Sequence, residues 1–152
     1  MQAIRPSNIP TGFDPASLAA SSDLRVLVVD DQAAMRRIVR QLLATNGIHE
    51  VVEAGDGSEA LDHLLRADEA PVDLVICDLL MPVMDGLTFC NKMRRDIRLK
   101  SRHVPILLLT AVTDDLVLQV ARQVGAIDVV NKPIAAPELG KRIEKLIGIK
   151  LH

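Results

Sequence analysis

Four short aliphatic runs in this chain lead directly into side chains that can handle charge. The run at 26–29 is followed by Asp30 and Asp31, the run at 74–77 by Asp78, the run at 106–109 by Thr110, and the run at 127–130 by Asn131, Lys132 and Pro133. If the first and third of these are neighbouring strands, three carboxylates converge in one small space. Like charges that close repel, and some would take up protons unless a cation were present. A hard divalent ion resolves the conflict. Mg²⁺ prefers oxygen ligands, keeps several waters, and commonly combines one or two carboxylates with a phosphate oxygen. Lys132 adds a positive charge and Thr110 a hydroxyl, so the set suits a phosphoryl group. One carboxylate can itself be the nucleophile and become an aspartyl phosphate. Taken singly, each residue has a plainer role. An Asp after a strand is usually a helix cap, and Asp31 is a candidate for that. The combination at successive strand ends points to chemistry.

Those side chains need a scaffold, and the remaining sequence supplies one. A fifth aliphatic run, at 51–53, leads into Ala54-Gly55-Asp56-Gly57. Each run is short and mostly Val, Ile or Leu, as a buried strand should be. Helical periods lie between them. Met35, Ile38, Val39, Leu42 and Leu43 form one stripe, and Leu61, Leu64 and Leu65 a second. Leu87, Cys90, Met93 and Ile97 form a third. Val117, Val120, Ala121 and Val124 form a fourth, and Leu139, Ile143, Leu146 and Ile147 the last. Asp56 with Glu59 reads as a capping box, Gly47 and Gly125 as helix stops, and Pro137 as a first-turn proline. Strict alternation of strand and helix implies an α/β, doubly wound parallel sheet. In such a sheet, ligands bind beyond the carboxyl ends of the strands, where the strand order reverses.

The 152 residues fit one domain, with 49% of them hydrophobic and only 1% aromatic. An aliphatic core of this kind favours strands covered on both faces. Eighteen basic and 20 acidic residues give no nucleic-acid footprint, and the scarcity of rings leaves no platform for stacking bases. Cys77 and Cys90 both lie on apolar stretches and read as buried, reduced thiols. The chain shows no secretion signal and no apolar run near the ~20 residues that span a bilayer, so a cytoplasmic location and no membrane partner are expected. Residues 1–22, with Pro6, Pro10 and Pro15 and no periodicity, read as a flexible N-terminal arm, leaving 23–152 as the domain. The last helix should end near Gly148, with no output domain after it.

Val28-Val29-Asp30-Asp31, Cys77-Asp78-Leu79-Leu80-Met81-Pro82-Val83-Met84-Asp85-Gly86, Leu109-Thr110-Ala111 and Asn131-Lys132-Pro133 together resemble the bacterial two-component receivers of the CheY type. Met35-Arg36-Arg37-Ile38-Val39-Arg40 is also similar to the first helix of chemotaxis regulators. The resemblance implies a flavodoxin-like, five-stranded sheet of order 2-1-3-4-5, with helices on both faces. It implies Asp78 as phosphoacceptor, with Thr110 and Lys132 at the phosphoryl group. Mg²⁺ would be held by Asp30, Asp31, Asp78 and the backbone carbonyl of Leu80, and the Lys132–Pro133 bond would be cis. The implied partner is a histidine kinase or histidine phosphotransfer protein, with an unidentified protein target downstream. Such a protein is no enzyme in the usual sense, since it catalyses only its own phosphorylation and dephosphorylation. The fourth helix, fifth strand and fifth helix would form the output face, a candidate homodimer surface. Where family members usually carry Tyr or Phe, this chain has Val129, which cannot swing as a ring does. Leu80 and Val112 stand where side chains overlie the path of hydrolytic water, and neither can orient it, which implies slow self-dephosphorylation.

Other readings fit less well. Gly55-Asp56-Gly57-Ser58-Glu59-Ala60 matches a dinucleotide-binding pattern, but Asp56 and Glu59 would repel a pyrophosphate. A haloacid-dehalogenase-type phosphatase would want its first two aspartates separated by one residue, and here they are adjacent. His49, His63, His103 and His152 lack metal-ligand spacing and read as surface residues. A receiver-fold adaptor that works by binding alone remains as the second functional class.

Overall fold

Side chains alternate across a strand, so a strand buried on both faces feeds two cores at once. The computed structural model describes residues 23–66, 68–111, 114–126 and 128–151; the expected arm at 1–22, Val112, Ile127 and His152 lie outside them. The elements in chain order are β1 (Arg25–Val29), α1 (Ala33–Thr45), β2 (Glu50–Ala54), α2 (Gly57–Leu65), β3 (Leu74–Asp78), α3 (Gly86–Arg95), β4 (Ile106–Thr110), α4 (Asp115–Gln123), β5 (Asp128–Asn131) and α5 (Ala136–Ile147). The sheet is parallel throughout, in the order β2-β1-β3-β4-β5, as expected.

The two cores divide by strand parity. Leu27, Val29, Val75, Cys77, Ile106 and Leu108 pack with Ala60 of α2, Phe89, Cys90 and Met93 of α3, and Ala121 of α4. Their strand neighbours Val26, Val28, Leu74, Ile76, Leu107 and Leu109 pack with Val39 and Leu43 of α1 and Leu139 and Ile143 of α5. Fully burying each such side chain is worth about 1.5–3 kcal/mol. Because α1 and α2 lie on opposite faces, the strand order reverses between β1 and β3. A crevice therefore opens at their carboxyl ends.

Several local expectations hold and several are corrected. Asp56 caps α2, its Oδ1 accepting from the Glu59 amide at 2.8 Å. Glu59 returns the bond to the Gly55 amide at 2.6 Å, one residue before the cap. Gly47 and Gly125 have φ of 81° and 104°, in the left-handed region that ends helices. Asp31 is not the cap of α1; that position is Gln32, without a side-chain bond. Ile38 sits on the stripe but is 49% exposed, because α1 turns only a narrow face to the sheet. Ile97 is likewise exposed, since α3 ends at Arg95 before the stripe completes. Phe89, which the stripe passes over, is fully buried in its place. His63 is no plain surface residue: it is half-buried with Nδ1 3.2 Å from Glu69 Oε2. Strands β3 and β4 also run one residue longer than their aliphatic runs, so Asp78 and Thr110 are the last strand residues.

The α1–α5 contact is tight at one point. Asn46 is buried, and its Nδ2 donates to the Leu42 carbonyl at 2.9 Å and to the Ala136 carbonyl at 3.0 Å. A Cβ at Gly140 of α5 would collide with the Asn46 side-chain oxygen. Overpacking costs about 1–3 kcal/mol, against about 1 kcal/mol gained by replacing a helical glycine with alanine. Gly140→Ala should therefore lower the urea unfolding free energy by about 1 kcal/mol. Combined with Asn46→Ala, it should cost nothing beyond Asn46→Ala alone, because the collision is gone.

Candidate functional site

Main-chain bonds carry each functional residue to the crevice. Asp30 extends the β1–β2 ladder by one step, its amide donating to the Ala54 carbonyl at 3.1 Å. The Leu79 amide donates to the Leu109 carbonyl at 3.1 Å, and the Lys132 amide to the Thr110 carbonyl at 2.8 Å. With β1 paired to β3, Val29 opposite Cys77, these bonds set the ends of β1, β3, β4 and β5 side by side. Gly86 lets α3 start close behind: a Cβ there would lie 2.5 Å from the Asp78 carbonyl oxygen. Only glycine permits that approach of helix to strand end. The intervening turn bends at Val83, whose φ of 72° is unusual for a β-branched residue, with the Met84 amide donating to the Pro82 carbonyl at 2.8 Å.

The expected carboxylates do converge. Oxygen atoms of Asp30, Asp31 and Asp78 all lie within 4.8 Å of one another. Lys132 reaches into the same space, its Nζ donating to Asp78 Oδ1 at 3.2 Å and lying 3.6 Å from Asp30 Oδ2. Thr110 ends β4 opposite Asn131, is 1% exposed, and is joined to Lys132 through its carbonyl. The Lys132–Pro133 peptide is cis. Leu80 follows in the turn after β3 and is 62% exposed. Val112, the other residue expected over the phosphoryl path, lies outside the described residues.

Burial is unequal within the cluster. Asp30 is 3% exposed, Asp78 is half-buried and Asp31 is open to solvent. Burial raises the Asp30 carboxyl above its ordinary value, and the charges of Asp78 and Asp31 add to the effect. The Gln32 amide, donating to Oδ1 at 2.9 Å, and Lys132 offset it only in part. The two cysteines behave as expected of buried thiols. Burial pushes Cys77 far up and Cys90 up to about 12.

Sequence reasoning missed the partners that hold Asp30. Arg36 of α1 donates from Nη1 to the Asp30 carbonyl at 2.6 Å and from Nε to Glu53 Oε1 at 2.8 Å. Arg40 shares Glu53, with Nη2 2.8 Å from Oε2. The Arg36–Arg40 spacing, one helical turn, was the available signal, but it needed β2 beside it to acquire meaning.

Known proteins share this sequence pattern and fold. The sequence model described as the response regulator receiver domain matches residues 26–144. The chain belongs to the response regulator receiver family. It is 35% identical over 126 residues to chemotaxis protein CheY-3 of Vibrio cholerae, covering 83% of this chain and 93% of that protein. The solved structure of CheY4 from Vibrio cholerae superposes with a TM-score of 0.71 at 35% identity, covering 81% of this receiver and 98% of that chain. Other relatives are much longer. The sensor histidine kinase TmoS of Ectopseudomonas mendocina is 37% identical over 145 residues, which are 94% of this receiver but 14% of the kinase. The receiver spans 48% of the probable transcriptional regulator ycf27 of Porphyridium aerugineum. Among the described residues, no helix is long and apolar enough to cross a membrane.

The raised Asp30 carboxyl has a consequence for stability. Its folded value lies above the unfolded one, so the native state binds more protons in that window and loses stability as pH rises through it. Asp30→Asn removes this penalty. In metal-free buffer at pH 7 the variant should unfold at higher urea than the wild type. The advantage should fade as pH falls below the ordinary aspartate value, where both are neutral. A wild type that is the more stable at pH 7 without Mg²⁺ would contradict the assignment.

Proposed function

We propose that this receiver accepts a phosphoryl group on Asp78 from a histidine kinase or histidine phosphotransfer protein, in a Mg²⁺-dependent step. It then signals by altered protein–protein binding or passes the group along a relay. The observation that carries this reading is the meeting of Asp30, Asp31 and Asp78 within 4.8 Å, with Lys132 Nζ 3.2 Å from Asp78 Oδ1. An Asp78 oxygen attacks phosphorus, the P–N bond of the donor histidine breaks as the new P–O bond forms, and the imidazole leaves. Lys132 sits where it can pair with a phosphoryl oxygen, and Thr110 ends the neighbouring strand with a hydroxyl of the right kind. The donors that would hold the ion are all oxygen, as a hard cation requires: the converging carboxylates of Asp30, Asp31 and Asp78, with the Leu80 carbonyl as the further ligand that the resemblance implies. Bound Mg²⁺ supplies positive charge against the charge that builds on the transferring group. The receiver catalyses only these reactions on itself.

The output face we assign is α4, β5 and α5. Val117, Leu118 and Val120 of α4 are half-buried there, and Leu116 is 66% exposed. Val129 packs inward against the cluster containing Leu108 and Ala121. With no ring to move, the face responds through β4 and the turn after it. This is the surface for a downstream protein, or for a second copy of the chain.

Two measurements test the reading. With acetyl phosphate and Mg²⁺, the wild type should gain one phosphoryl group and Asp78→Asn none. Asp31→Ala should stay folded but react more slowly at low Mg²⁺ by more than about tenfold, the scale on which even outer partners of metal ligands act. Labelling of Asp78→Asn at the wild-type rate would overturn the acceptor assignment. The second concerns lifetime. Leu80 offers no hydrogen bond to an attacking water, so isolated phosphoprotein should decay slowly, and Leu80→Asn should decay severalfold faster. A fast decay that Leu80→Asn leaves unchanged would remove the role given to Leu80.

A further inference from the structure

The cation site rests on Asp30, and Asp30 is gripped on its main chain from two directions. Its amide is used by Ala54 at 3.1 Å, and its carbonyl by Arg36 Nη1 at 2.6 Å. The carbonyl belongs to the peptide that leads into Asp31. Since the peptide is planar, fixing the carbonyl direction fixes the plane, and with it the start of Asp31. Arg36 therefore controls two of the three carboxylates without touching either side chain.

Arg36 is itself held. Its Nε donates to Glu53 Oε1 at 2.8 Å, and its side chain is 19% exposed. Glu53 lies on β2, opposite Val28 in the register, two residues before the site on the neighbouring strand. Burial works against the ionised form of Glu53, but the hydrogen bonds of Arg36 and Arg40 outweigh it and hold the carboxyl below its usual range. Glu53 thus stays charged and offsets the guanidinium. That balance matters here, because an unpaired positive charge beside the acidic cluster would compete with a divalent cation. The fork geometry of arginine serves both contacts at once. Lysine has a single ammonium in place of the separate Nε and Nη1 donors that make these two contacts.

We propose that Arg36, clamped by Glu53, is a positioning residue for the cation site: it orients the Asp30–Asp31 peptide so that both carboxylates face Asp78. The inference deepens the Mg²⁺ reading above and rests on it. Arg40 provides the internal control. It binds the same Glu53, with Nη2 at 2.8 Å, and the Val51 carbonyl at 3.3 Å, but donates no hydrogen bond to Asp30.

The test is calorimetric Mg²⁺ titration of the full chain without phosphodonor, paired with urea unfolding in metal-free buffer. Arg36→Met should bind Mg²⁺ about tenfold more weakly, as loss of a partner that orients a metal ligand generally does. Arg36→Lys should not rescue it. Arg40→Met should bind like the wild type, although it loses an equivalent ion pair. Glu53→Gln should weaken binding in the same direction as Arg36→Met, and it keeps the test open if Arg36→Met fails to fold. Wild-type Mg²⁺ affinity in Arg36→Met or Glu53→Gln, with lowered metal-free stability only, would reduce the pair to a staple between α1 and β2 and overturn the proposal. Equal weakening by Arg40→Met would do the same, since the effect would then be general to the helix. Absence of Mg²⁺ binding by the wild type would instead defeat the cation-site reading itself.

Discussion

Electrostatic repulsion among Asp30, Asp31 and Asp78 is the constraint around which the carboxyl edge of the sheet is arranged. Oxygens of all three lie within 4.8 Å, and one of the carboxylates is almost wholly buried. Such a cluster is unfavourable by itself. It persists because two continuous apolar layers hold the strand ends where they are, whatever the carboxylates prefer. Lys132 relieves part of the repulsion by lying against both Asp30 and Asp78. The repulsion that Lys132 leaves unrelieved would be offset by a divalent cation bound among these oxygens.

Small local devices transmit the rigidity of the cores to the site. Lys132 reaches it because its amide is bonded to the Thr110 carbonyl, continuing the β4–β5 ladder past the last strand residue. Gly86 allows α3 to begin against the Asp78 carbonyl. Arg36 ties the Asp30 carbonyl to Glu53 of β2. Each device ties together two different elements of the fold. None of the three uses a carboxylate of the cluster; those side chains are engaged instead by Lys132, which lies against Asp30 and Asp78, and by the Gln32 amide at Asp30.

The opposite faces of the sheet are put to different uses. The face covered by α1 and α5 is closed tightly, with Asn46 fitted against Gly140 and a buried amide joining the two helices. The face covered by α2, α3 and α4 contains both cysteines and Phe89, and it also takes in Val129 at the position where receivers usually hold a ring. A small side chain there fills space that a ring would occupy only in one of its two positions. Val129 therefore offers no ring that could swing between two positions there.

Much of this was legible in the residues. Aliphatic runs of four residues separated by helical periods dictate a parallel sheet, because strands of that composition need cover on both faces. Polar residues at the ends of those runs dictate where chemistry can occur, since a doubly wound sheet leaves only its carboxyl edge open. The parity of Val26 to Val29 likewise determined which side chains enter which core. Tertiary structure alone decided the rest. Ile38 and Ile97 follow the apolar period yet stay exposed, because how wide a face a helix buries depends on its neighbours and on where it ends. Asp31 stands at a position suited to capping α1, but the chain begins the helix one residue later and turns Asp31 to the cluster. Arg36 and Glu53 are 17 residues apart, and nothing in their local sequence pairs them. Their bond exists because β2 is laid beside β1, and adjacency between strands is a property of the whole sheet, not of any segment within it.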